Sequence, residues 1–169
     1  IIDMKIGVNK LCLFNAIYYC NLENRDLIFD NYEIIPYCYE AAIVLNSVDL
    51  CQYIYDRGVR FNNKIFPYAI MLGKDNVWEW LYSKGCPYDA ECYKSILMCG
   101  YKDAICFLDK IGCKPDIERL RISIKYSKID ILLYFTRIVK KYCNGINKDD
   151  LYMDVKNRGD PEVIYIIND

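Results

Sequence analysis

A chain of 169 residues with 22 Lys plus Arg against 23 Asp plus Glu has a formal charge of -1, so it exerts no long-range pull on phosphate, and no nucleic-acid partner is expected. At this length a folded chain buries roughly 70% of the surface that its unfolded form exposes, enough for one domain over residues 1–169 without disulfides or a metal. His is absent, which removes the usual general base and the commonest neutral metal ligand.

No glycine-rich phosphate cradle, G-x-S-x-G turn or Cys with a His partner occurs, so no catalytic residue and no cofactor are assigned and a non-enzymatic protein is expected. Ten cysteines would suggest a disulfide framework in a short secreted chain. No secretory signal leads this one and 54% of it is hydrophobic, so the thiols are expected as small buried hydrophobes in an intracellular, reducing compartment. The longest apolar runs, such as Ile131 to Phe135, fall far short of a membrane span, and no membrane association is expected.

In chain order the predicted elements repeat. A first, atypical unit over roughly 10–36 is marked by Asn15-Ala16-Ile17 and Leu22-Glu23, which match Ala42-Ile43 and Val48-Asp49 at a spacing of 26. The next units, roughly 37–63, 64–90 and 91–117, end near Gly58, Gly85 and Gly112, which recur every 27 residues. The same period relates Asp49, Asn76, Asp103 and Asp130, then Ala42, Ala69, Ile96 and Ser123, then Tyr53, Trp80, Phe107 and Tyr134. Phe66 to Leu72 is an apolar stretch of helical length, Lys74 to Asn76 a polar break, and Val77 to Lys84 a second short helix. Strict apolar/polar alternation is absent, which argues against strands. The Asp/Asn column falls at the start of each second helix, where it can satisfy free N–H groups and the positive dipole end. The glycine column falls at its end, where a left-handed residue closes the helix. From Asp130 to Glu162 the spacing stretches to 32, so the unit at roughly 118–148 should carry a loop or a lengthened helix near Lys140 to Asn147. The last unit, roughly 149–169, stops early and the chain begins with Ile, so part of a longer chain or a processed product is expected.

Repetition at this period marks stacked units that bury their apolar faces only against neighbours. The stretch Val77 to Asp89, reading VWEWLYSKGCPYD, resembles the shortened ankyrin-like repeats of giant DNA viruses of the mimivirus kind. Ile105 to Asp116 is a looser copy, and the resemblance covers most of residues 15–167. It implies an all-α fold: an ankyrin-like α-solenoid of about five stacked helix pairs. The period of 27 is shorter than the roughly 33 residues of an ordinary ankyrin unit, so the β-hairpin fingers should be short or absent. The resemblance also implies a scaffold or adaptor that binds another protein through its concave helical face, in the host cytoplasm or the virion. The alternative is a structural component packed permanently in a viral particle or assembly.

In such proteins the end of each first helix lines the concave face. Here those positions are Val44 and Leu45, Met71 and Leu72, Met98 and Cys99, and Lys125 and Tyr126, an apolar stripe for a surface meant to face solvent. Either it binds the partner or register drift draws some of it into the core. Cys92, Cys99, Cys106 and Cys113 are spaced by seven, which invites a zinc site, but they lack the close ligand pairs of structural zinc and should not converge. Asp149, Asp150 and Asp154 lack the turn glycine and ligand spacing of a calcium loop and read as a solvated loop before the last helix. Trp78 and Trp80 belong to apolar columns and read as packing between stacked helices.

Overall fold

The structure is a computed structural model that describes residues 10–19, 30, 36–143 and 147–168. The described residues form eleven α-helices and no strand, so the chain is all-α. It divides into two compact units, Ile1–Pro87 and Tyr88–Asp169, where the sequence suggested one domain; the boundary lies in the loop after Gly85.

The first unit contains α1 (Lys10–Tyr19), α2 (Cys38–Val44), α3 (Val48–Asp56), α4 (Ile65–Met71) and α5 (Asp75–Ser83). Helices α2 and α3 pack as a pair, as do α4 and α5; α2 also packs on α1 and α4, and α3 on α5. The core lies between these layers and contains Tyr39, Ala42, Ile54, Phe66, Ala69 and Leu81, none with any exposed surface. Leu22 and Glu23, invoked for the first repeat, lie outside the described residues.

The second unit contains α6 (Glu91–Cys99), α7 (Lys102–Lys110), α8 (Ile117–Tyr126), α9 (Ile129–Tyr142), α10 (Lys148–Arg158) and α11 (Pro161–Asn168). The pairs α6–α7, α8–α9 and α10–α11 follow in sequence order, with first helices against first helices and second against second. The 27-residue columns thus translate into three-dimensional layers in each unit. The small-residue column is fully buried at all four positions, Ala42, Ala69, Ile96 and Ser123.

Helix starts and stops follow local chemistry. Asp49, Asn76, Asp103 and Asp130 each occupy the second position of α3, α5, α7 and α9, where a carboxylate or amide oxygen meets the positive end of the dipole. Capping of a free N–H falls elsewhere: Ser47 Oγ accepts from Leu50 N at 3.2 Å, and Asp116 accepts from Arg119 N at 2.9 Å. At the other end, Gly85 and Gly112 have φ of 73° and 75°, and Cys86 and Cys113 then donate their N–H back to Leu81 and Leu108, which satisfies carbonyls the helix leaves open. The stretched unit resolves as a longer helix. Helix α9 has 14 residues where α3, α5 and α7 have nine, and its added turn buries Ile138 and Val139. Residues 144–146, in the region where a bulge was expected, lie outside the described residues.

Candidate functional site

The eight stripe residues all end first helices. Val44 and Met71 are the last residues of α2 and α4, with Leu45 and Leu72 as their C-caps; Met98 and Cys99 end α6, and Lys125 and Tyr126 end α8. None is in the core. In the first unit Val44, Leu45, Met71 and Leu72 are half-buried, on two helices that pack directly. In the second unit, where α6 and α8 likewise pack directly, Met98 is 54% exposed and Tyr126 50%, and Cys99 and Lys125 are exposed as well.

Each patch has its own polar surroundings. The turn after Leu45 opens on a shallow groove of about 590 Å³ lined by Asn46, Ser47, Val48, Asp49, Asn76 and Glu79, so acidic groups flank the apolar helix ends in the first unit. In the second, the Lys125 ammonium lies 5.0 Å from the centre of the Tyr126 ring. A side-chain hydrogen bond to Tyr126 raises the Lys125 pKa above its ordinary value, so this group stays cationic.

The backbone that presents these ends has a signal the sequence reading passed over. Asn46, Gly73 and Gly100 also recur every 27 residues and have φ of 52°, 63° and 75°. After each, the next residue donates its N–H to Ala42, Ala69 or Ile96, the small-residue column, so each first helix stops at the same place with its last side chains turned outward. The fourth position is Ser127, with φ of −77°; its N–H still donates to Ser123 O, and side chains satisfy further helix-end carbonyls around it. Ser127 Oγ donates to Leu97 O at 2.8 Å, and Arg158 Nη1 donates to Ile124 O at 2.5 Å, both reaching between neighbouring pairs.

The rival constellations resolve as follows. Of the four spaced cysteines, Cys92 and Cys113 are buried, with Cys113 Sγ donating to Asp89 O at 3.2 Å, Cys106 is half-buried and Cys99 is exposed. Among the described residues no group of three His, Cys, Asp or Glu is placed to hold a metal ion. Asp149 and Asp150 lie exposed in the first turn of α10 rather than in a loop, because Asn147 caps that helix by accepting from Asp149 N; Asp154 pairs with Arg121 at 2.7 Å. Trp78 is buried, and Trp80 donates its indole N–H to Gln52 Oε1 at 3.1 Å while its ring meets Tyr55 and Phe61 edge-on.

Comparison with protein-family models, with curated proteins and with solved structures finds no match to this chain. Among the described residues no helix is long and apolar enough to cross a membrane.

Proposed function

We propose that this chain is an ankyrin-like α-solenoid of the kind it resembles and acts as a non-enzymatic adaptor, binding another protein through the ends of its first helices. The observation that carries the reading is the outward placement of Met98 and Tyr126, large apolar side chains about half exposed at the ends of packed neighbouring helices. Water is an unfavourable neighbour for such side chains, and Met and Tyr are both enriched in interface cores, the first for its adaptable shape and the second for its amphipathic ring. Val44, Leu45, Met71 and Leu72 form a half-buried patch at the corresponding helix ends of the first unit, and the acidic groove beside Leu45 suits a partner that sets basic side chains around an apolar anchor. The reading places the protein in an intracellular, reducing compartment, and uses no cofactor, metal or nucleic acid.

The second reading, a component packed permanently in a viral assembly, draws on the same exposed Met98 and Tyr126, since permanent interfaces are the more apolar ones. Salt dependence separates the two: a partner steered by Asp49 and Glu79 exchanges and weakens as ionic strength rises, whereas a permanent contact does not. The direct test is the double variant Met71→Glu/Met98→Glu against a partner captured by cross-linking in the native source. The expected result is loss of binding with helix content and melting near wild type. Retained binding by the folded variant contradicts the proposal, and so does unfolding, which would place both side chains in the core.

A further inference from the structure

We infer that Cys92 and Cys113 are a redox pair, joined by a reversible disulfide when the chain meets a hydroperoxide. The repeat sets these two positions against each other. Cys38, Ile65 and Cys92 recur every 27 residues at the start of first helices, and Val59, Cys86 and Cys113 recur every 27 in the loops after second helices; all six are buried. The residue after the first column ties the two columns together: Tyr39 OH donates to Val59 O at 3.1 Å, and Tyr93 OH to Cys113 O at 3.0 Å. By column, Cys38 answers to Val59 and Ile65 to Cys86. Of these three repeats, the third alone has a thiol at both positions.

Three side-chain hydrogen bonds hold the two segments together: Tyr88 OH to Ile111 O at 3.1 Å, Tyr93 OH to Cys113 O, and Cys113 Sγ to Asp89 O at 3.2 Å. Asp89 O also accepts from Cys92 N at 3.1 Å, so one carbonyl oxygen touches both the Cys113 sulfur and the Cys92 backbone. Each side chain acts on the other's proton. Cys113 holds the Cys92 thiol below its ordinary pKa, and Cys92 pushes the Cys113 thiol up. Cys92 therefore ionises first, at the second position of α6, where the positive end of the helix favours a thiolate. Burial by itself does the reverse, as at Cys51, whose thiol is pushed up to about 12.

One hydrogen peroxide balances the step. The Cys92 thiolate attacks a peroxide oxygen, the O–O bond breaks and hydroxide leaves, which makes a sulfenic acid. The Cys113 sulfur then attacks the Cys92 sulfur, the S–O bond breaks, and the oxygen departs as water with the Cys113 proton. In sum both thiols lose their hydrogens, and the peroxide becomes two waters. Glu91, Gly112 and Lys114 beside the pair are exposed, so the thiols lie just under the surface, where local opening admits a molecule of that size. Once closed, the link fixes the start of α6 to the loop that enters α8, the two helices whose far ends present Met98 and Tyr126.

Non-reducing peptide mapping of the 169-residue chain before and after hydrogen peroxide at neutral pH tests this, with circular dichroism alongside. The expected result is ten thiols before treatment and a linked Cys92–Cys113 peptide afterwards, with helix content kept and the link fully reversed by dithiothreitol. Cys113→Val, the residue that the repeat carries at Val59, should stop the reaction at a Cys92 sulfenic acid that dimedone labels. Oxidation confined to exposed Cys99, a link from Cys92 to another cysteine, or a link formed only with loss of helix content overturns the inference. If Cys113→Val loses helix content, the wild-type map decides alone.

Discussion

Two tyrosines tie the loops to the helix pairs. Tyr39 OH donates to Val59 O at 3.1 Å and Tyr93 OH to Cys113 O at 3.0 Å, each across 20 residues and each fully buried. Tyr93→Phe removes the donor and leaves a buried carbonyl unpaired, at an expected cost of about 1–2 kcal/mol in denaturant unfolding. Burial raises both phenols above their ordinary pKa, and likewise pushes the Cys51 thiol up to about 12. For the two phenols, the native state therefore holds protons that the unfolded chain releases near pH 10. Their contribution to stability is complete below that pH and is lost above it, by about 1.4 kcal/mol per pH unit for each group. Alkaline melting curves should begin to fall near pH 9, where an unfolded Cys51 ionises, and fall more steeply from about pH 10, and Tyr39→Phe/Tyr93→Phe should flatten the steeper part; an unchanged slope contradicts the assignment. Ala69 was legible in advance, because its column is small in three of four units, and it has no exposed surface. Ala69→Leu should overpack the meeting of helices at about 1–3 kcal/mol, read as a lower denaturant midpoint. The role of the tyrosines was not legible, since Phe66 and Leu120 share their column and the column reads only as apolar.

Among the elements, helix ends were read best where glycine marks them. Gly58, Gly85 and Gly112 lie where the period placed them, each in the left-handed region. A Cβ at Gly85 would meet nothing within 4 Å, so Gly85→Ala isolates the backbone cost and should lose about 1 kcal/mol on thermal unfolding. The first-helix stops were missed because Asn46 stands in for glycine at φ 52° and Ser127 replaces the motif altogether. The five extra residues between Asp130 and Glu162 were correctly located near Lys140, but composition did not decide between loop and helix. Burial of Ile138 and Val139 against the core is a tertiary effect, and Lys140 and Lys141 then face the negative end of the lengthened helix. Arg158 at the end of α10 was invisible to a column argument, since its contact with Ile124 O crosses between pairs. Arg158→Met should loosen the α8–α10 contact and lower the melting temperature by a few degrees, as expected for about 1–2 kcal/mol.

At the scale of the whole molecule, the all-α class was written in the helical length of each apolar segment, whereas the division after Pro87 was not, because the period runs through it unbroken. The described cysteines are thiols outside any disulfide. Cys12 and Cys20, whose side chains lie outside the description, complete the ten, and thiol titration of denatured, non-reduced protein should find all ten reactive. The stripe's placement at the first-helix ends followed from the period alone; its exposure did not, since half-buried Leu72 and exposed Met98 are equally apolar in sequence. Binding through those ends is the central claim, and hydrogen exchange of the chain with and without its captured partner tests it most directly. The account predicts slowed exchange at the last turns of α2, α4, α6 and α8, around Leu45, Leu72, Cys99 and Tyr126. Protection confined to the loops at Arg60 to Lys64 and Lys114 to Glu118, with those helix ends unchanged, would contradict it.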